Sequence, residues 1–200
     1  MFMQVIQGKV ADRAGLEAAL ERWRDELAPG AIGYLGSTGG FTDDGVFVVL
    51  ARFESEEAAR RNSERPEQAA WWAETERCFD GEVVFMDCPT ATTWLAGGSD
   101  DAGFVQVMEG RSANRDRMLA LMETYAPRVK QARPEIIGGT VGTYGEDGWV
   151  EAIYFTSEAE AREHEAMPMP DDMAEAMARE MPADVRYLDL HQPIMISAGR

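Results

Sequence analysis

The sequence predicts an α+β protein made of two tandem copies of a βαββαβ unit, the element order of the ferredoxin-like fold. First, the ten residues 53–62 return 102 positions later as 155–164, with Phe, Ser, Glu, Ala and Arg in place. Second, the same spacing relates segments along the whole chain. Third, residues 96–103 are rich in glycine and small polar residues, a composition typical of a linker. We therefore predict a repeat at 1–95, a linker at 96–103 and a second repeat at 104–200.

The matches between the copies follow one order from the first strand to the last. The pairs are Phe2/Phe104, Gln4/Gln106, Val5/Val107, Gly8/Gly110, Leu16/Met118, Leu20/Met122, Trp23/Tyr125, Leu27/Val129, Pro66/Pro168, Val83/Val185, Phe85/Tyr187 and Asp87/Asp189. The turn Asp44-Gly45 matches Asp147-Gly148 one residue out of step. This offset predicts a small insertion on each side of the turn.

The elements of the first copy can be placed from their apolar periodicity and their flanking turn residues. They are a strand at Phe2–Gln7, a helix from an Asp12 cap to about Leu27, strands at Tyr34–Phe41 and Val46–Phe53, a short helix after Ser55, a helix from Pro66 to about Phe79 and a strand at Val83–Asp87. A hairpin turn at residues 43–45 joins the middle strands.

The second copy repeats this order with its own caps. Asn114 is the predicted cap of its first helix, and Ser157 with Glu160 has the spacing of a capping box. Residues 146–148 are the predicted hairpin turn. Pro127 falls late in the first helix of this copy, where a proline is expected to kink or end a helix.

Composition excludes several classes of partner. The net charge of −17 argues against nucleic acid and anionic membrane surfaces, which both attract basic proteins. No apolar run is long enough to span a bilayer, and the N-terminal residues read as a strand without a basic leader, so we expect a cytoplasmic protein. Cys78 and Cys88 have no counterparts in the other copy, and we expect reduced thiols, with a disulfide as the alternative.

The first strand of each copy carries a glutamine among apolar residues. Side chains alternate between the faces of a strand, so we expect Met3 and Val5 to pack under the helices. Phe2, Gln4 and Ile6 then form the opposite face, with Gln106 at the equivalent place in the second copy. A face that is part apolar and part polar is typical of a cavity wall. The alternative is a glutamine near the sheet edge that bonds to a neighbouring strand.

The phasing of Phe53-x-Ser-x-Glu-Ala-x-Arg with Pro66, and its copy from Phe155 to Pro168, resembles the antibiotic biosynthesis monooxygenase family. Members usually dimerise, and two ferredoxin-like sheets close face to face into an α/β barrel. The resemblance implies that both halves of this barrel come from one chain, packed sheet to sheet as a pseudo-dimer. It also implies a pocket between sheet and helices and cofactor-free oxygenation of aromatic or quinone-like substrates. Phe53 and Phe155 depart from the family's usual tryptophan.

By that resemblance, Asn62, Trp71 and Trp72 in the first copy and His164 in the second are candidates to face a ligand, alongside Gln4 and Gln106. The alternative for Asn62 and His164 is an exposed polar helix end. The alternative for the tryptophan pair is packing in the core. Adjacent helical residues point about 100° apart, so at most one tryptophan can face deep core while the other meets a pocket or interface.

No motif in the sequence predicts a metal or cofactor. The histidines and cysteines lack zinc-ligand spacing, the glycines lie between strands rather than in a dinucleotide-binding loop, and nothing orders a catalytic triad. Two hypotheses remain open, an oxygenase acting on a small hydrophobic or aromatic metabolite and a non-catalytic binding or assembly module, with haem binding or degradation more distant. A homodimer is a further expectation from the family.

Overall fold

The computed structural model describes residues 1–95, 97–98, 100–168, 170–180 and 184–198. Its strands are β1 (Phe2–Lys9), β2 (Tyr34–Phe41), β3 (Val46–Phe53), β4 (Val84–Cys88), β5 (Thr90–Trp94), β6 (Phe104–Arg111), β7 (Ile136–Tyr144), β8 (Gly148–Phe155), β9 (Arg186–Leu190) and β10 (Ile194–Ser197). Its helices are α1 (Arg13–Arg22), α2 (Glu56–Ser63), α3 (Pro66–Thr75), α4 (Arg115–Ala132), α5 (Glu158–Glu165) and α6 (Asp171–Glu180). No helix in this part of the chain has the length and hydropathy needed to cross a membrane.

The chain divides into two compact units. Unit 1 comprises Met1–Thr90 with Ile194–Arg200, and unit 2 comprises Ala91–Pro193. The described strands of unit 1 form a five-stranded sheet in the order β10-β2-β3-β1-β4, and those of unit 2 follow the order β5-β7-β8-β6-β9. The pairings within them are antiparallel. The prediction of an α+β protein with two equivalent βαββαβ repeats is therefore confirmed.

Each sheet has an edge strand that the sequence did not predict. The strand β5 lies beside β7, and β10 lies beside β2. Relative to the sequence repeats, the end of the second copy thus completes the sheet of unit 1. The repeat boundaries at 1–95 and 104–200, and the packing of the repeats as a barrel, stay predictions. Within the predicted linker, residues 96 and 99 lie outside the described residues.

The predicted insertion beside the hairpin turn is wrong. Phe41 pairs with Phe47 in unit 1, and Thr143 pairs with Trp149 in unit 2, so the spacing of the repeat holds through both hairpins. The two turns differ in which residue has a positive φ. It is Gly45 (74°) in the unit 1 turn and Gly145 (55°) in the unit 2 turn. Gly148 opens strand β8. The matching Asp-Gly pairs are therefore not structurally equivalent.

The predicted helix caps had mixed outcomes. The carboxylate of Asp12 accepts from the Gly15 N–H at 2.9 Å, and the hydroxyls of Ser55 and Ser157 cap α2 and α5. Asn114 makes no side-chain cap, and its backbone N–H donates to the hydroxyl of Ser112. Of the two outcomes expected at Pro127, an end of the helix is wrong, since α4 continues to Ala132.

The predicted faces of the first strand are reversed. Phe2 clusters with Trp23 and Leu27 of the single π turn that follows α1, so this face of the strand packs against the helices. Met3 and Val5 lie on the opposite face and are fully buried. Both faces of β1 are therefore covered, which is why apolar alternation did not identify the helix side.

Candidate functional site

Unit 1 contains a cavity of about 410 Å³ between its sheet and its helices. This volume lies in the range of pockets that bind small organic ligands. The sheet contributes residues of β1, β2, β3, β4 and β10, and the helical side contributes residues of α1, α2, α3 and the π turn. We call this space the unit 1 cavity. Its walls carry both aromatic rings and polar groups.

Five aromatic side chains line the unit 1 cavity. Its rings are Phe2, Trp23, Tyr34, Phe53 and Trp71. The centroids of Trp23 and Tyr34 are 4.9 Å apart, and those of Tyr34 and Phe53 are 5.7 Å apart, both at edge-to-face angles. Such pairs fix one another's orientation. The cavity therefore presents mutually packed aromatic ring surface to a ligand.

The two indole N–H groups at this cavity are already used. The Trp23 indole donates to the Gln68 side-chain oxygen at 2.8 Å. The Trp71 indole donates to the backbone carbonyl of Ala19 at 2.8 Å. Both tryptophans therefore offer ring surface, rather than a free donor, to the cavity.

The adjacent tryptophans separate as helical geometry predicts. Trp71 lines the unit 1 cavity, whereas Trp72 packs in a neighbouring cluster with Leu16, Phe47 and Phe79. The Trp72 ring also meets Phe85 edge-on, with centroids 5.2 Å apart. Of the pair, Trp71 is thus the residue placed to meet a ligand.

Asn62 is buried at the helix end of the unit 1 cavity. Its side-chain oxygen accepts from the Ile32 backbone N–H and from the Arg65 guanidinium, each at 3.1 Å. Two donors on one oxygen fix which way the amide points. The amide nitrogen, Nδ2, has no hydrogen-bond partner among the described residues. Asn62 therefore brings an oriented N–H donor to the cavity, and the alternative of an exposed helix end is wrong for it.

Gln4 lies at the sheet end of the unit 1 cavity. It faces Asp87 across the β1–β4 ladder, and its amide nitrogen donates to Asp87 Oδ1 at 2.8 Å. Both residues line the cavity. The glutamine therefore meets both descriptions offered by the sequence, since it borders a cavity and bonds to a neighbouring strand.

Tyr34 adds a polar contact that the sequence did not indicate. Its hydroxyl lies 2.7 Å from Ser37 Oγ and 2.9 Å from the Ile196 carbonyl. Because a carbonyl can only accept, Tyr34 donates to Ile196 and accepts from Ser37. This contact ties β10 to the cavity wall. It was missed because β10 itself was not predicted.

In unit 2 the equivalent space holds different side chains. Trp94 takes the place of Ile196. Its indole packs directly on Gly139, where a β-carbon would come within 1.9 Å of Nε1, so only glycine fits beneath it. Glu151 takes the place of Val49 and is buried. Arg162 lies over the Phe104 ring, 5.1 Å from its centroid. The repeats therefore differ at several positions that line the unit 1 cavity.

The unit 2 candidates, Gln106 and His164, have local partners. Gln106 donates to Asp189 at 2.9 Å, the same contact that Gln4 makes in unit 1. His164 Nδ1 lies 3.0 Å from the Glu160 carbonyl and 3.3 Å from the buried carboxylate of Glu135. Of the six candidates, Gln4, Asn62 and Trp71 meet on one cavity, Trp72 packs beside it, and Gln106 and His164 belong to unit 2.

The cysteines are free thiols, as predicted. Burial raises the pKa of Cys88 to about 12, with the Asp87 carboxylate acting in the same direction. A thiol with so high a pKa is a poor nucleophile at neutral pH. Among the described residues, no group of three or more His, Cys, Asp or Glu side chains could hold a metal ion.

Comparison with known proteins identifies the fold. No protein-family model and no curated protein sequence matches the chain. Among solved structures, a candidate monooxygenase from Fusobacterium nucleatum has a TM-score of 0.80 at 10% identity, covering 99% of this chain and 94% of that one. A candidate monooxygenase from Lactobacillus acidophilus has a TM-score of 0.74 at 15% identity, with 99% and 96% covered. An anthrone oxidase-like protein has a TM-score of 0.69 at 11% identity, with 100% and 94% covered.

These similarities extend over nearly the full length of each protein. At identities of 10–15% they establish a shared fold. The resemblance to monooxygenase-like proteins that the repeated Phe53 and Phe155 segments indicated is confirmed at that level.

Proposed function

We propose that the unit 1 cavity binds a flat aromatic metabolite of the anthrone or phenol type and oxygenates it with dioxygen, without a bound cofactor. The observation that carries this proposal is the buried amide of Asn62, whose oxygen is held by two donors and whose residue lines a cavity that also has aromatic walls. The fold shared with an anthrone oxidase-like protein supports the substrate class.

The chemistry requires the substrate to lose a proton first. An anthrone that loses a proton from its methylene carbon becomes an anion, with much of the negative charge on the ring carbonyl oxygen. A fixed N–H donor stabilises such a charge without reorganising, which is the main advantage of a preorganised site. Asn62 is the group that would supply this donor. The rings of Phe2, Trp23 and Trp71 would hold the anion flat and exclude water.

The anion then reacts with dioxygen, which is the oxidant. One electron passes from the anion to dioxygen, and the two radicals combine into a carbon–oxygen bond, giving a peroxide anion that takes up a proton. Loss of the remaining hydrogen on that carbon, with cleavage of the O–O bond, gives the quinone carbonyl and one water. In sum, a CH₂ group and one O₂ become a C=O group and one H₂O.

Tryptophan fluorescence tests ligand binding at this site. Trp71→Phe should weaken the binding of 1,8-dihydroxyanthraquinone by up to about fivefold, because the smaller ring loses part of a stacking contribution of about 1 kcal/mol. Trp72→Phe is the matched control, since that neighbour does not line the cavity. Titrations of wild type and both variants with quinones, anthrones and haem would give the affinities.

Equal affinities in all three proteins would contradict the assignment of the site. An oxygen electrode then separates the two functional hypotheses. Anthrone binding with oxygen uptake above that of the free compound supports an enzyme, and binding without it supports a non-catalytic binder.

A further inference from the structure

We propose that Asp87 is the proton acceptor of the unit 1 cavity and that Gln4 is its positioning residue. This inference rests on the proposed function, because it names the group that would generate the reactive anion. Gln4 holds one carboxylate oxygen of Asp87, Oδ1, at 2.8 Å. The other oxygen, Oδ2, has no hydrogen-bond partner among the described residues. Asp87 is solvent-exposed on β4, and this oxygen is open to take a proton where the carboxylate borders the cavity.

The second repeat contains the same pair in a different electrostatic setting. Gln106 donates to Asp189 at 2.9 Å, and Arg162 forms an ion pair with the same aspartate. Both carboxylate oxygens of Asp189 are engaged, Oδ1 by Gln106 and Oδ2 by Arg162. Asp189 is therefore a structural ion-pair partner rather than a proton acceptor.

In unit 1 the equivalent arginine, Arg60, pairs with glutamates of its own helix region instead of with Asp87. Arg60 pairs with Glu57 at 2.8 Å and with Glu64. Among the described residues, Asp87 makes no ion pair. The second repeat has Ala159 and Ala166 at the positions of these two glutamates. Arg162 pairs with Glu158 and Glu165 as well as with Asp189, so the two repeats differ in which neighbouring positions carry the glutamates.

The charged groups that border the unit 1 cavity are few. Besides Asp87 they are Glu56 and Arg60, both on α2. Arg60 is engaged by its two glutamates, so the carboxylates of Asp87 and Glu56 are the candidate proton acceptors. Asp87 is the one whose geometry is fixed by a side-chain partner that also lines the cavity.

The placement of Asp87 and Asn62 also defines the substrate. Asp87 lies on the sheet, on strand β4, and Asn62 lies on the helical side, near the end of α2. A ligand that meets both needs an acidic hydrogen at one edge and an oxygen at another. An anthrone has this arrangement, since its methylene and its carbonyl lie across the central ring. The methylene proton would pass to Asp87, giving the neutral carboxylic acid, while the charge develops at the oxygen facing Asn62.

Hydrogen–deuterium exchange tests the proton transfer without oxygen. Under nitrogen in D₂O, wild-type protein should accelerate exchange of the methylene hydrogens of 1,8-dihydroxyanthrone, followed by proton NMR. Asp87→Asn should lower the accelerated rate about 100-fold, the usual contribution of a general base. The binding of 1,8-dihydroxyanthraquinone by fluorescence should change less than threefold. Asp189→Asn in unit 2 is the matched control and should leave the exchange rate unchanged.

A second variant recreates the setting of unit 2 without touching Asp87. Replacing Glu57 and Glu64 together by alanine should free Arg60 to pair with Asp87, which lowers the basicity of the carboxylate. We expect exchange to slow by about threefold to tenfold, and the acidic limb of its pH profile to move to lower pH. Gln4→Leu removes the donor that holds Asp87 Oδ1. It should lower the exchange rate by misplacing the carboxylate and move the acidic limb to higher pH, because the charged form loses a hydrogen bond.

The outcomes separate this inference from the proposed function. Exchange that depends on Asp87, with no oxygen uptake above background, would retain the proton acceptor and overturn the oxygenase. Exchange that is absent in wild type, or equal in wild type and Asp87→Asn, would overturn the assignment of Asp87.

Discussion

Asn62→Asp is expected to lower the rate of 1,8-dihydroxyanthrone oxygenation by about 100- to 1000-fold, the range found when one donor to a developing negative charge is removed. Aspartate keeps an oxygen that can accept from the Ile32 N–H and the Arg65 guanidinium. It puts a second carboxylate oxygen where the amide nitrogen was. The hydrogen bond from the amide to the substrate anion is thereby replaced by repulsion between two negative charges. Quinone absorbance and oxygen uptake measure the effect.

The repeat provides the control for this substitution. His164 occupies the equivalent position in unit 2, and His164→Asn should leave the oxygenation rate within threefold of wild type. Thermal unfolding of both variants checks that the fold is retained. Oxygenation by Asn62→Asp at the wild-type rate would show that the amide does not stabilise the anion.

Glu151→Val is expected to stabilise the protein, and increasingly so as pH rises. Glu151 is buried in β8, and burial raises the pKa of its carboxyl to about 8, with the Trp94 indole acting weakly in the opposite direction. The Glu151 Oε1 and Trp94 Nε1 atoms are both buried without a partner of hydrogen-bond geometry, so burial dominates. Unit 1 has Val49 at this position, which shows that the fold accepts valine there.

The sign follows from proton linkage. Below the ordinary pKa of 4.5 the carboxyl is neutral in both states and contributes no pH dependence. Between 4.5 and about 8 the unfolded chain releases the proton while the folded protein keeps it. The wild type therefore loses about 1 kcal/mol of unfolding free energy per pH unit in this window, and the loss levels off above it.

Chemical denaturation at pH 5 and pH 8 measures this effect. The stability gain of Glu151→Val over wild type should grow by roughly 3 kcal/mol between the two. Glu151→Gln, which keeps a polar group but cannot ionise, should lose the pH dependence with a smaller gain. A gain that is equal at both pH values would contradict a buried, protonated Glu151.

Much of the fold could be predicted because the sequence contains two copies of the same pattern, and each copy supports the assignment of elements in the other. The bounds of β2 and β3 agree with the prediction, since each strand is a continuous segment ended by turn residues. The short edge strands β5 and β10 were missed because they have five and four residues. A strand of that length is recognised by the partner it pairs with, and that partner is remote in sequence.

The candidate site was predictable only in part, for the same reason. Asn62 and Trp71 were found through a family pattern, and Gln4 through an odd polar residue in an apolar strand. Asp87 was not singled out, because its contact with Gln4 joins residues 83 positions apart. The available signal was that both members of this pair recur in the second copy, as Gln106 and Asp189. Two polar residues that repeat together on adjacent strands predict a contact between them.

A single-turnover experiment tests the central claim most directly. Wild-type protein is loaded under nitrogen with one equivalent of 1,8-dihydroxyanthrone and then mixed with oxygenated buffer, while quinone absorbance and oxygen are recorded. We expect one O₂ consumed per anthrone, at a rate at least 100-fold above that of the free compound, and a rate near background for Asn62→Asp that still binds ligand. An anthrone that oxidises no faster when bound to the wild-type protein than when free in solution would contradict the proposed oxygenase.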